Sequence, residues 1–336
     1  MTKPAPPAPP APLPEDPAGL AARVAAGEKR AIARAISRVE NRDAGTEALL
    51  GALFPRTGKA FRVGVTGAPG AGKSTLVNAI AGHLRAAKTR VAIVAVDPSS
   101  PFTGGALLGD RVRMLALDPE VFIRSMSSRG HLGGIASATD DACDVLDAAG
   151  FEVVLVETVG VGQSEVEIAA ATDATLVVVT PEGGDSIQTL KAGLLEVADV
   201  IVVNKADRDG ARELAGEIEH SLTLRTGGAG TGWAVPVMLA SATAGTGVAE
   251  AWQAVLDYRK FLEDKDLLRS RRRKNLEHKI RRIVESALAR TLWGDGKEAD
   301  GRLREALGRA ESRALSPHAA ARELLAHIGA PSRPLQ

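Results

Sequence analysis

The chain has 336 residues, and 42 Lys and Arg against 41 Asp and Glu leave a formal net charge of +1. A composition that is 45% hydrophobic and 25% charged is that of a globular protein and excludes wholesale disorder. The near-neutral balance argues against a dedicated nucleic-acid binder, a single cysteine, Cys143, excludes a Cys-rich metal site, and no apolar run approaches the ~20 residues of a membrane helix.

In chain order, residues 1–17 hold eight of the 18 prolines interleaved with alanine and read as a solvated, low-complexity tail. Asp16-Pro17 is a helix-start signal, a capping residue before proline. Ile32, Ala35, Ile36 and Val39, then Leu49, Leu50 and Leu53, recur at helical spacing, so 18–58 is read as a helical segment. From 59 to 250, short β-branched runs alternate with helix-length stretches. The expected strands are Phe61–Thr66, Arg90–Val96, Val121–Arg124, Glu152–Glu157, Ala174–Thr180, Val200–Asn204 and Val237–Ala240. Most central runs are apolar on successive residues, as strands covered on both faces must be. This predicts an α/β fold with a mainly parallel sheet flanked by helices. After 250 the strand signal ends, and 251–330 is read as a helical extension. With no signal-like apolar core near the N-terminus, the expectation is a soluble cytoplasmic protein bound to neither membrane nor nucleic acid.

Gly67-Ala68-Pro69-Gly70-Ala71-Gly72-Lys73-Ser74 matches the phosphate-loop pattern G-x-x-x-x-G-K-[ST], after a strand and before a helical run that starts at Thr75. Its glycines let backbone N–H groups wrap a polyphosphate, and the helix N-terminus adds favourable potential. Lys73 supplies charge near the β and γ phosphates, and Ser74 offers a hydroxyl to Mg²⁺.

Asn204-Lys205-Ala206-Asp207 follows the apolar run Val200–Val203. N-K-x-D at a strand end reads guanine in phosphate-loop GTPases. The Asp207 carboxylate can accept from the N1 and N2 hydrogens of guanine, an arrangement adenine lacks, and Lys205 would lie along the base. Ser241-Ala242, after the last strand, resembles the weaker guanine-supporting motif of that class. The run Glu152–Val156 leads into Glu157-Thr158-Val159-Gly160-Val161-Gly162-Gln163, a carboxylate followed by a glycine segment, which is what a γ-phosphate and Mg²⁺ sensor needs. Most small GTPases carry aspartate where Glu157 stands, and Gln163, the candidate for orienting the attacking water, is displaced two residues. Asp97 at the end of the second strand and Asp110 in the Gly-rich run Thr103–Arg111 are candidate first-switch acids.

Taken together, these segments resemble the MeaB/ArgK family of phosphate-loop GTPases, which includes the chaperone of methylmalonyl-CoA mutase. The resemblance is carried by Gly27–Ser37, Val63–Thr75, Val94–Ser100, Thr103–Asp110, Glu157–Ser164 and Asn204–Asp207. It implies a P-loop NTPase fold with N-terminal helices and a C-terminal helical dimerisation extension. It also implies a Mg²⁺-dependent hydrolysis of GTP to GDP and phosphate, with Asp97, Asp110 and Glu157 joining Ser74 around the metal. A homodimer is implied, assisting a cobalamin-dependent acyl-CoA mutase by gating adenosylcobalamin loading and protecting the enzyme. Pro181–Lys191, with Asp185, Gln188 and Lys191, matches the place of a third switch loop; Glu182 and Ser186-Ile187 depart from it.

Other readings stand beside this one. An ATP- or GTP-dependent kinase in lysine, arginine or ornithine transport would need a separate protein-substrate site. A nickel chaperone would need clustered soft or imidazole ligands. A passive nucleotide module would not need the full metal and switch set. The basic run Arg269–Lys274 has no aromatic residues among its charges and is expected to be a solvated helix face or a dimer seam. Trp233, Trp252, Trp293 and Cys143 are expected to pack, and His131 to lie in a loop.

Overall fold

A computed structural model describes residues 16–97, 120–127, 134–158, 171–182, 194–225, 232–293 and 297–326. Three helices open it, α1 (Pro17–Ala25), α2 (Lys29–Asn41) and α3 (Thr46–Leu53). The Asp16 carboxylate accepts from the N–H groups of Ala18 and Gly19 at 3.4 and 3.2 Å, with Pro17 next, so the expected cap is present.

Seven parallel strands follow: β1 (Phe61–Gly67), β2 (Val91–Asp97), β3 (Phe122–Ser127), β4 (Val153–Thr158), β5 (Ala174–Val179), β6 (Val200–Asn204) and β7 (Val237–Ala240). They pair in the order β3-β2-β4-β1-β5-β6-β7. The phosphate-loop strand β1 thus lies at the centre, between β4 and β5. The helices between and after the strands are α4 (Lys73–Ala86), α5 (Gly134–Ala148), α6 (Ala211–Arg225), α7 (Val248–Asp264), α8 (Leu267–Trp293), α9 (Lys297–Glu311) and α10 (Pro317–Ala326), with a single turn at Leu195–Val197.

The two-residue period of a strand divides each apolar run between two cores. Val153 and Leu155 of β4, Leu176 and Val178 of β5, and Val200 and Val202 of β6 face the layer of α4 and α7, where Leu76, Ile80 and Trp252 are buried. Val154 and Val156 face the other side, covered by α1–α3 and α5 through Leu20, Ile32, Ile36 and Leu146. Val177, Val179, Ile201 and Val203 meet Leu214 and Ile218 of α6 on that same side. Helix α7 therefore packs within the main core, although it begins near the boundary of the expected extension.

Helix α8 is attached differently. Leu276, Ile280, Ile283, Val284 and Leu288 are about half exposed along it, while four of its basic residues, Arg271, Arg272, Lys279 and Arg282, reach carboxylates of the domain. The Arg271 guanidinium donates to Asp199 at 2.8 and 3.1 Å and to the Tyr258 hydroxyl at 2.6 Å. Arg272 donates to both Asp173 oxygens at 2.8 Å and to the Gly58 and Ala60 carbonyls. Lys279 pairs with Asp141 and Asp144, and Arg282 with Asp140, all on α5. Two arginines of the basic run are therefore a clamp on the domain. Neither is a solvated face, because each meets a carboxylate that would otherwise lack a counter-charge near the sheet.

Trp252 and Cys143 are buried, and Trp233 packs with its ring tilted against Tyr258 and Phe261, but Trp293 is 42% exposed. No described helix is long and apolar enough to cross a membrane.

Candidate nucleotide site

In a parallel sheet the ends of all strands fall along one edge, where open α/β folds bind ligands. Here Gly67 ends β1, Glu157 and Thr158 end β4, Asn204 ends β6, and Ser241 follows β7. Register sets these ends level: Val65 pairs with Glu157, Gly67 with Val178, and Asn204 with Ala240.

The loop 67–72 owes its shape to two glycines in particular. Gly67 has φ 142°, and a Cβ on it would lie 2.0 Å from the Val178 carbonyl oxygen. Gly72 has φ 84°, and a Cβ there would lie 2.3 Å from the Asn204 amide nitrogen. Any side chain at either position would displace a backbone or a buried strut. Helix α4 starts at Lys73, two residues before the expected Thr75, which puts Lys73 and Ser74 in its first turn, at the positive end of the helix dipole.

Lys73 is buried, and its ammonium donates to the Gly67 and Ala68 carbonyls at 2.7 and 3.0 Å. The Ser74 hydroxyl donates to Glu157 Oε1 at 2.5 Å, joining α4 to the end of β4 across 83 positions of sequence. Behind that contact, the buried Thr158 hydroxyl donates to the Thr66 hydroxyl at 3.0 Å. Sequence reasoning missed this pair, which strand register brings level, since Val65 pairs with Glu157 in the step before it. Ser74 and Glu157 offer two hard oxygens side by side, a donor set suited to Mg²⁺. No cluster of three or more His, Cys, Asp or Glu forms among the described residues. Asp110 and Gln163 lie outside the described residues, as do Asp185, Gln188, Lys191 and His131; Asp97 is placed only by its backbone, at the end of β2.

Asn204 is buried and holds three loops at once. Its amide donates to the Ala71 carbonyl at 2.9 Å and to Gly72 at 3.5 Å, and its Oδ1 accepts from the Ala242 N–H at 3.1 Å. Lys205 follows with φ 59°, a left-handed turn that the Ala206 N–H fixes to the Ala240 carbonyl at 3.0 Å. Asp207 is exposed at the mouth. The buried Ser241 hydroxyl donates to it at 2.5 Å and, with the residue's own backbone N–H, holds its carboxyl below the usual carboxylate range. Asp207 therefore remains an anionic acceptor. The residues Gly67–Ser74 and Asn204–Asp207, with Ser241 and Ala242, form one edge of the sheet, and Thr75 continues α4 behind it.

Comparison with known proteins agrees with this geometry. Residues 32–297 match the family described as Methylmalonyl Co-A mutase-associated GTPase MeaB. A Pyrococcus abyssi protein whose name assigns it to the GTPases is 44% identical over 91% of this chain and 95% of its own. GTPase ArgK of Escherichia coli is 38% identical over 90% of this chain and 93% of its own. The crystal structure of a LAO/AO transport system kinase superposes with a TM-score of 0.71 at 31% identity, covering 94% of this chain and 98% of that one.

Proposed function

Since the chain belongs to the MeaB family of GTPases and hydrolyses GTP on a P-loop NTPase fold, we propose that this hydrolysis serves a cobalamin-dependent acyl-CoA mutase, methylmalonyl-CoA mutase or a relative. The protein would gate adenosylcobalamin loading and protect the mutase, acting as a cytoplasmic homodimer. The family description supports the partner, as does a mouse relative named methylmalonic aciduria type A homolog, mitochondrial, 36% identical over 69% of this chain and 60% of its own. The half-exposed apolar stripe of α8 supports the dimer.

The observation that carries the catalytic reading is the direct Ser74–Glu157 contact beside Lys73. Phosphoryl transfer asks the protein for positioning and charge neutralisation more than for covalent chemistry. Lys73 is held at the loop by two neutral carbonyls, and phosphate oxygens, being charged, are the stronger acceptors. Loop N–H groups of Gly67–Ser74 would bind the polyphosphate. Ser74 and Glu157, with Asp97 and Asp110, would hold Mg²⁺, which when bound neutralises charge on the phosphates. Gln163 would orient water. Asp207 would read guanine, with Lys205 along the base and Asn204, Ser241 and Ala242 keeping that loop in place.

Turnover of GTP with and without purified methylmalonyl-CoA mutase tests the partner. We expect acceleration by the mutase, and a different mutase affinity in the presence of GDP and of a GTP analogue, as linkage requires. Rates and affinities that ignore every acyl-CoA mutase tried would remove the chaperone role. Glu157→Gln tests the metal site: hydrolysis should fall more than GDP affinity, because the residue acts on the γ-phosphate side.

A further inference from the structure

The base-recognition loop has a partner that neither its motif nor the family description assigns. Glu182 stands just past the end of β5, after the buried Thr180 and the half-buried Pro181. Its Oε2 accepts from the Lys205 ammonium at 2.8 Å, and its Oε1 pairs with Arg208. One carboxylate therefore grips cations on both sides of Ala206–Asp207. The two turns also lie close together: a Cβ on Gly210 would lie 3.7 Å from the Pro181 Cβ.

All three side chains are 30% exposed or more, and ion pairs in that setting add little to stability. Their effect is on order. Lysine has a long, freely rotating stem, and a stem that must be fixed when a ligand arrives lowers affinity unless it is fixed beforehand. The left-handed backbone at Lys205, φ 59°, sets the direction in which the stem leaves the chain, and Glu182 holds its far end.

We propose that Glu182 is a positioning residue for nucleotide recognition, acting through Lys205 to preset the lysine stem as a shelf for the purine face. The proposal rests on the guanine reading of Asn204–Asp207 and extends it to a residue outside the motif. Because the shelf meets the ring face, its contribution is shared by guanine and hypoxanthine, whereas the edge contact of Asp207 separates the two through the N2 amino group.

The experiment is a double-mutant cycle of Glu182→Gln and Lys205→Met, read by calorimetry and by dissociation rates of GDP and IDP. Glu182→Gln should weaken both nucleotides by the same factor, about fivefold, through faster dissociation. Lys205→Met keeps the stem and removes the ammonium, so adding Glu182→Gln to it should cost nothing more. Unfolding temperature should stay within ~2 °C in Glu182→Gln, which separates positioning from folding. Unchanged GDP affinity in Glu182→Gln, additive losses in the double variant, or a loss for GDP larger than for IDP would each overturn the proposal. Wild-type affinity for ADP equal to that for GDP would overturn the guanine reading instead, and the coupling between Glu182 and Lys205 would still be measured for the purine that binds.

Discussion

The two edges of the sheet use the same residue types for opposite ends. On the C-terminal edge, Lys73 is partnered by carbonyls of its own loop and Asp207 by a serine hydroxyl and its own backbone N–H, with the residue exposed to solvent. On the N-terminal edge, aspartates are filled by the fold. Asp147 accepts from the N–H groups of Gly58, Lys59 and Ala60, Asp173 from Arg62 N–H and the Arg272 guanidinium, and Asp199 from Thr175 N–H and Arg271. A carboxylate that ends a strand bonding network and meets an arginine fork has no capacity for a ligand. The comparison teaches that chemistry belongs where charge is held by partners a phosphate can replace, and attachment of α8 where it is saturated.

The largest expected effect breaks the first edge alone. Lys73→Ala should lower GTP hydrolysis roughly 10³-fold, as loss of a preorganised charge does, with little change in unfolding temperature. A steady-state phosphate-release assay beside a melting curve checks both halves.

Asp199→Ala should do the reverse. It strands Arg271 and the Thr175 N–H in a partly buried site and should cost about 3 kcal/mol of stability while GDP affinity is retained. Denaturant unfolding against calorimetric GDP binding measures it. Smaller again is Asp207→Asn, which exchanges an acceptor for a mixed group. GTP should weaken by roughly 10- to 100-fold and xanthosine triphosphate should gain, by competition binding.

A pH experiment sharpens the contrast from the α5 side. Burial alone would raise the Asp144 carboxyl, but Arg62 and Lys279 outweigh it and hold it below its usual range. Its stabilising contribution is therefore present above the ordinary carboxylate value near ~4 and is lost as pH falls through the lower folded value. Burial keeps Asp141 raised despite Lys279, so its contribution has the opposite sign and partly offsets the loss. Urea midpoints should fall below about pH 4 in the wild type and fall less steeply in Asp144→Asn.

The smallest effect is expected at Cys143, where burial pushes the thiol up to about 11. Thiol reagents near neutral pH should leave hydrolysis and folding unchanged, and labelling should appear only on unfolding.

All seven strands were legible because each is a short apolar, β-branched run between breakers, a local signal that burial on both faces enforces. The phosphate loop and N-K-x-D were legible for a related reason: backbone wrapping of phosphate and edge-reading of guanine require particular residue types at close spacing. Helix α9 was read only as part of the helical extension 251–330, without bounds of its own in the charged sequence Lys297–Glu311, and the exposure of Trp293 ran against the usual burial of large aromatic residues.

The sequence alone therefore determined which segments become strands, where the phosphate loop sits, and which carboxylates could serve a nucleotide. Only the tertiary structure decided their partners. Ser74 meets Glu157 across 83 positions, Asn204 joins loops at 71 and 242, Glu182 reaches Lys205, and Arg271 and Arg272 leave solvent for Asp199 and Asp173. Each of these contacts depends on strand order and register, which carry residues distant in the chain to the same edge. A charged side chain has no periodicity that says which distant partner the sheet will place beside it.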